Sequence, residues 1–283
     1  MESVSDIAER LIARIRSYGP VAVAYSGGVD SAVVAKAAML ALGSDAVAIT
    51  AVSPSLAQSE RLIAQQEAQR IGIRHVEIET TEFQREEYRR NGSDRCFYCK
   101  DTLYSVTEEC LSRLQVQSVI NGANLDDLGD HRPGMKAAAD HQVRSPLIEE
   151  QIGKQTVREL ARYWNLSVAE KPASPCLASR IAYGIEVTES RVAMIEQAEA
   201  LIRELTGLKV LRVRLESEDL ARIEVPLSDL PRLVQNDTRE QITAGLKALG
   251  FRAVTIDLEG FRSGNLNSSL PLVDLQIPKT ISR

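Results

Sequence analysis

Three short stretches of this chain carry residue types and spacings that can do chemistry. The first is Ser26-Gly27-Gly28-Val29-Asp30-Ser31, set between the apolar run Val21 to Tyr25 and an alanine-rich stretch. A short apolar run ending in a glycine pair reads as a buried parallel strand. Gly27 and Gly28 then stand where the backbone must bend sharply and let a ligand approach closely. The N–H groups opening the next helix lack helical partners and sit at the positive end of its dipole, so they form an anion site. The lysine that reaches the terminal phosphates in a Walker A loop is missing from this one. The bland alternative is a glycine turn that binds nothing.

Cysteines form the other two stretches. Cys96 and Cys99 make a CxxC pair whose thiolates can converge on one metal or cluster. Arg95 and Lys100, with Arg89 and Arg90 upstream, would favour the thiolate form. Cys176 lies in Glu170 to Gly184, EKPASPCLASRIAYG, where Pro172 and Pro175 hold the chain extended. Lys171 and Arg180 add positive charge around it, so a nucleophile or metal ligand is expected ahead of an ordinary surface thiol. Cys110 sits at helical spacing from Leu103 and Val106 and reads as a small core hydrophobe.

The elements that must position these residues follow from periodicity. Ser5 to Ser17 is a helix; Val21 to Tyr25, Ala46 to Val52, Ile73 to Ile78 and Val119 to Asn121 are strands. Helices alternate with them, from Ser53 to Gly72, Thr102 to Leu114 and Lys154 to Trp164. That alternation predicts an α/β fold with a parallel sheet and right-handed crossovers, with ligands beyond the strands' carboxyl ends. Asp30, Ser53 and Glu79 belong to that edge, as do Asp126 and Asp127 after the fourth strand. The two adjacent carboxylates orient magnesium or an adenylate, or else form an ordinary acidic loop. Ser145-Pro146-Leu147 begins an extended stretch.

Beyond Gly184 the pattern changes to a helix over Thr188 to Leu205 and strands over Lys209 to Leu215 and Ala221 to Val225. A mostly helical stretch from Asp229 to Leu249 and a strand over Ala253 to Leu258 complete it. This predicts a small α+β domain, giving domains 1–184 and 185–270 and a tail, 271–283. Glu199 falls on the apolar face of its helix with Val192, Ile195 and Ile202, which is costly unless the carboxylate is paired or metal-bound. Arg212 and Arg214 share one strand face. They form either a phosphate fork or a solvated face in which one of them pairs with Glu224.

Composition narrows the class. The chain has 283 residues, 44% apolar and 26% charged, with a net charge of −5, four cysteines and a pI near 5.5. These values fit a soluble globular protein and speak against nucleic acid as the main partner. Neither a signal-peptide pattern nor a span of roughly 20 apolar residues is seen, so a cytoplasmic, membrane-free protein is expected, with its cysteines reduced.

SGGVDS on a strand-turn-helix resembles the pyrophosphate loop of the PP-loop superfamily of ATP pyrophosphatases. The resemblance implies that Ser26, Gly27, Gly28, Asp30 and Ser31 hold the departing pyrophosphate, with Asp30 near Mg2+ and adenosine near Ala51 to Ser53. Together with GANLDDLGDHRPG, KPASPCLASRIAYG, the RVR strand and Gly260-Phe261-Arg262-Ser263-Gly264, in that order, the chain resembles the LarE family of sulfur transferases. That family builds the nickel-pincer nucleotide of lactate racemase. The resemblance implies that ATP adenylates the carboxylates of a pyridinium biscarboxylic acid mononucleotide and that sulfur then replaces oxygen, twice per cofactor. It also implies substrate-phosphate contacts from Arg212 and Arg214, acidic residues Glu199 and Glu224 near Cys176, and a pocket flanked by Ser179 and Arg180. A third acidic position falls nearest Asp229, and His131 stands where the family loop has Tyr. Homo-oligomers are implied too.

Two sulfur sources occur in the family. In one type the cysteine matching Cys176 gives up its own sulfur; in the other, three cysteines hold a [4Fe–4S] cluster that binds sulfide. Cys96, Cys99 and Cys176 fit the second type, because three ligands leave one iron open and four would close it. Competing expectations are a PP-loop iron-sulfur tRNA thiolase and a structural zinc site made by these cysteines with His131.

Overall fold

A computed structural model of the chain describes residues 2–129 and 133–262. In chain order the elements are α1 (Val4–Arg16), β1 (Val21–Ala24), α2 (Val29–Leu42), β2 (Ala46–Val52), α3 (Gln58–Ile71), β3 (Arg74–Glu79), α4 (Glu86–Arg89) and α5 (Arg95–Leu114). There follow β4 (Ser118–Ile120), α6 (Pro133–Asp140), α7 (Pro146–Glu149), α8 (Lys154–Tyr163), α9 (Glu189–Thr206), β5 (Arg212–Glu216), β6 (Leu220–Glu224), α10 (Leu230–Leu233), α11 (Asn236–Leu249) and β7 (Ala253–Ile256). They form two compact units, one of residues 1–82 and 96–174, the other of 83–95 and 175–283. The sequence boundary near Ile185 is thus ten residues beyond this division, and a segment from before α5 joins the second unit.

The first unit is a four-stranded parallel sheet in the order β3-β2-β1-β4. Its strands are continuous apolar runs because both faces are covered. Val21, Val23, Ala46 and Ala48 face the core with α1, α2 and α8. Ala22, Val47 and Ile49, one residue out of step, face the core built on α5 and α6. This is the two-residue alternation of a pleated strand with apolar residues on both sides. The chain moves outward from β1 to β2 and β3, then returns to place β4 on the other side of β1. The topological switch point therefore lies between β1 and β4, the position at which open α/β sheets bind ligands.

Two glycines permit the close contacts there. Gly27 has φ +69°, and a Cβ would lie 2.8 Å from the Ala64 backbone of α3. At Gly122, just after β4, a Cβ would lie 2.8 Å from the Ser31 nitrogen. Only a bare backbone lets the β4 loop reach the start of α2.

In the second unit β5 and β6 are antiparallel, and β7 adds in parallel to β6. The unit's α9 is capped by Thr188, whose hydroxyl accepts from the Arg191 N–H, and ends at the left-handed Gly207.

Several boundaries differ from the sequence expectation. CxxC opens the 20-residue α5 instead of preceding a helix at Thr102, so both cysteines lie on its first turns. A three-residue spacing brings two thiols together and also matches helical geometry, which hid the helix start. The Ser145 stretch is not extended, since Pro146 takes the first position of the short α7, where its missing N–H costs nothing. Asp229 to Leu249 is broken into α10 and α11. Cys110 is half-buried, packed on the core beside Leu103 and Leu114 and accepting a hydrogen bond from Arg113 at 3.1 Å. No described helix is long and apolar enough to cross a membrane.

His141, following α6, links two carboxylates of α5, with Nε2 2.9 Å from Asp101 and Nδ1 3.0 Å from Glu108. Burial alone would lower its pKa, but the two acidic partners outweigh that and raise it. A raised histidine pKa adds stability that is complete below the unfolded value, near 6.5, and is lost as pH rises through the folded value. His141→Gln should therefore destabilise the protein more at pH 5.5 than at pH 9 in urea titrations, and an equal loss at both would contradict the ion pairs. Gly27→Ala should cost at least about 1–2 kcal/mol, from its left-handed backbone, in the same assay.

Candidate functional site: an uncapped helix start and a buried arginine cluster

The first unit presents α2 to the switch point with no side chain capping its N-terminus at Gly28. A helix start left this way offers its N–H groups and dipole to an anion. The expected serines shape the loop. The Ser26 N–H and hydroxyl both lie 3.2 Å from the Ser31 hydroxyl, and Ser31 donates to the Gly28 carbonyl at 3.1 Å. Ser53, just past β2, lies beside Ser55 at 3.0 Å.

Asp30, on the first turn of α2, is gripped at both oxygens. Asn124 Nδ2 donates to Oδ1 at 3.0 Å, and Lys154 Nζ is 2.5 Å from Oδ2. The acidic loop after β4 organises this arrangement. Asp127 accepts the Asn124 N–H at 3.0 Å and is nearly buried. Asp126 accepts the Lys154 N–H at 2.5 Å, which caps α8 from outside that helix. Asp126 and Asp127 brace this loop through these bonds, a role neither sequence reading named. Neither Asn124 nor Lys154 stood out in sequence; the GANLDD motif held the signal for Asn124, and nothing local marked Lys154.

Lys171 is engaged within the first unit. Its Nζ pairs with Glu60 at 2.6 Å and reaches the Gly27 carbonyl at 3.3 Å, fastening the glycine loop to α3. Cys96 is exposed and Cys99 half-buried. Residues three apart on a helix share a face, so this pair suits a shared metal or cluster. Among the described residues no three His, Cys, Asp or Glu side chains are grouped for a metal ion. His131, Ser263, Gly264 and the segment 271–283 lie outside the described residues.

In the second unit Cys176 is exposed at the start of a tight turn over Leu177–Arg180. Its carbonyl accepts from the Ser179 N–H at 3.0 Å, the Ser179 hydroxyl at 2.6 Å and Arg180 Nη1 at 2.8 Å. Arg180 also bonds the Pro175 carbonyl, and Arg214 Nη1 donates to the Ser179 carbonyl at 2.8 Å. The cysteine loop is held through its backbone, leaving the thiol outward.

Glu199 is paired, as its burial requires. It accepts from Arg180 Nε at 3.1 Å, Arg203 at 2.8 Å and the Val213 N–H at 3.2 Å. Arg212 and Arg214 are not on a solvated face, being only 7% and 6% exposed. Arg214 pairs with the fully buried Glu224 at 3.0 Å, and Arg222 reaches the same carboxylate at 3.1 Å. Arg212 lies over the Phe261 ring at 5.3 Å. Its burial, with the repulsion of Arg180, pushes its pKa down to about 10, so it remains a cation at neutral pH. Asp229 pairs at 3.6 Å with Arg232. Two other basic residues thought to bias the CxxC thiols are engaged elsewhere: Arg89 lies 3.6 Å from Glu186, and the buried Arg95 bonds the Asn91 side chain and the Ala178 carbonyl.

Glu199→Ala should cost about 3–5 kcal/mol in urea unfolding, because it strands the buried Arg180 cation. Arg203→Ala, at the exposed end of the same network, should cost less than about 1 kcal/mol. Equal losses would show that the buried pair is not the anchor.

A profile of the asparagine synthase family matches residues 6–107, the segment that contains the glycine loop. The chain is 44% identical over 248 residues, 88% of this chain and 92% of the relative, to an uncharacterised protein of Synechocystis sp.. It is 26% identical over 245 residues, 86% of this chain and 91% of the relative, to an uncharacterised protein of Methanocaldococcus jannaschii. It is also 35% identical over 268 residues, 94% of this chain and 95% of the relative, to the pyridinium-3,5-bisthiocarboxylic acid mononucleotide synthase of Lactiplantibacillus plantarum. With a PP-loop sheet in the first unit and near full-length identity at that level, the chain belongs to the LarE family.

Proposed function

We propose that this protein is an ATP-dependent sulfur transferase that converts the carboxylates of a pyridinium biscarboxylic acid mononucleotide to thiocarboxylates, on the route to the nickel-pincer nucleotide. The observation that carries the reading is the uncapped start of α2, with Ser26, Gly27, Gly28, Asp30 and Ser31 around it, at the β1/β4 switch point. The near full-length relative named for the bisthiocarboxylic product gives the substrate class.

In the first half-reaction a substrate carboxylate oxygen bonds to the α-phosphorus of ATP. The bond from that phosphorus to the β-bridging oxygen breaks, and pyrophosphate leaves with the electron pair. The N–H groups of α2 stabilise the charge that gathers on it. Asp30 and Asp127 would hold Mg2+, which shields the phosphates, and Ser53 lies at the adenosine edge. In the second half-reaction a sulfur nucleophile bonds to the acyl carbon and AMP departs with its oxygen. Adenylation is needed because a carboxylate oxygen is a poor leaving group.

Arg212 and Arg214 would bind the mononucleotide's phosphate, their burial making that contact strong. Ser179 and Arg180 fix the turn that presents Cys176, while Glu199 and Glu224 hold the arginines in place. Cys96, Cys99 and Cys176 would ligate a [4Fe–4S] cluster. When bound, such a cluster offers an iron site open to sulfide from sulfide or a sulfide donor. A cytoplasmic location and homo-oligomeric assembly belong to the same proposal, and the acidic net charge supports a small-molecule substrate over nucleic acid.

Protein purified without oxygen should contain about four iron and four acid-labile sulfide per chain. Cys96→Ala, Cys99→Ala and Cys176→Ala should each lose them while retaining ATP-dependent pyrophosphate release. Iron-free protein that is still active for one turnover, with Cys176 converted to dehydroalanine, would instead establish the sacrificial route.

A further inference from the structure

One buried amide fastens the chain just before α5. Asn91 is wholly buried and has φ +56°, a left-handed conformation that asparagine enters more readily than most residues. Its Nδ2 donates to the carbonyls of Ile181, Ala182 and Ile185, at 3.3, 2.8 and 2.9 Å. Its own carbonyl accepts the Gly184 N–H at 3.1 Å, and the Arg89 carbonyl accepts the Val187 N–H at 2.8 Å. Residues 89 and 91 thereby satisfy backbone groups of the chain that leaves the Cys176 turn, groups that are costly to bury unpaired.

Arg95 completes the tie. It is buried, and its Nη1 donates both to Asn91 Oδ1 and to the Ala178 carbonyl, the latter at 2.9 Å. Ala178 lies in the turn Leu177–Arg180 that follows Cys176. The Asn91 amide cannot flip, because its oxygen would then face three carbonyl oxygens, so Oδ1 is held toward Arg95. Asn91, Arg95 and the turn all belong to the second unit. Cys96 follows Arg95 through one peptide bond, and Cys99 lies one turn further along α5. Arg180 and Arg214 shape the cysteine turn through the Pro175, Cys176 and Ser179 carbonyls. Arg95 adds what they do not, a bond from the residue that adjoins the CxxC pair. A fully bonded buried polar pair of this kind adds little net stability over apolar packing, and what it fixes is one geometry.

We propose that Asn91 and Arg95 are positioning residues that set Cys96, and with it Cys99, at a fixed separation from Cys176, so that the three thiols serve as one ligand set. They act through the backbone on either side of the cysteines. The inference rests on the cluster reading of those cysteines.

The test compares full-length wild type with Asn91→Gly, Arg95→Gln and Arg95→Lys. Asn91→Gly keeps the left-handed backbone and removes the side chain alone. Iron-free protein, in a Cys99→Ser background so that Cys96 has no neighbouring thiol, is treated with a short bismaleimide. The Cys96–Cys176 product is then quantified by peptide mass spectrometry. Iron uptake is measured separately with Cys99 present, and each variant should still melt cooperatively. Asn91→Gly and Arg95→Gln should cross-link about tenfold less than wild type, the effect of losing one hydrogen bond to a charged group, and iron uptake should fall with it. Arg95→Lys should recover part of both, since an ammonium can still reach one of the two acceptors, and it is the variant to compare if Arg95→Gln does not fold. Wild-type cross-linking and iron uptake in Asn91→Gly, whatever its melting temperature, would overturn the role and leave the pair as a structural staple. Wild-type protein that gives no Cys96–Cys176 product would also overturn it. Variant-sensitive cross-linking in a protein that takes up no iron would overturn the cluster reading and uphold the positioning.

Discussion

Asp30 is a carboxylate on the first turn of a helix that begins without a cap, and two other parts of the first unit meet it there. Asn124 comes from the loop after β4 and Lys154 from the start of α8, while the Gly122 backbone allows the approach. Those contacts hold the first turn of α2 in place around its uncapped N-terminus. With them, the anion site is flanked by fixed hydrogen-bonding groups. Preorganisation of this kind is what makes electrostatic stabilisation effective in catalysis.

The second unit solves a different problem, that of keeping several arginines inside a protein. Arg180, Arg212 and Arg214 are buried together with Glu199 and Glu224. Each carboxylate bridges an inner arginine to an outer one, Glu199 from Arg180 to Arg203 and Glu224 from Arg214 to Arg222. Such a network gives little net stability, because desolvation cancels much of the attraction. Its value lies in geometry: it fixes the Cys176 turn through carbonyl groups and leaves the thiol exposed. The same burial, more than the neighbouring arginines, lowers the pKa of Arg212.

Much of this was legible in the sequence. Strand β2 falls on Ala46 to Val52 as its apolar run predicts, and the alternation of strands and helices gives the parallel sheet. SGGVDS announces an anion site because glycines, serines and an acid at those offsets have few other uses together. The CxxC pair and the proline-flanked Cys176 stand out by spacing alone, and the structure leaves Cys96 and Cys176 exposed. For Glu199, periodicity correctly required a partner without naming it.

The local code therefore determined the elements, the phosphate loop and the cysteines, because each rests on spacing within a few residues. Tertiary structure decided which charges meet. Lys154 and Asn124 reach Asp30 from 124 and 94 residues away, and Lys171 pairs with Glu60 across 111 residues of sequence. Arg212 and Arg214 look like a solvated pair on an isolated strand, but the fold buries both, and Arg214 bonds the Ser179 carbonyl of the Cys176 turn. Ion pairing depends on which side chains share a small volume, and only the folded chain sets that.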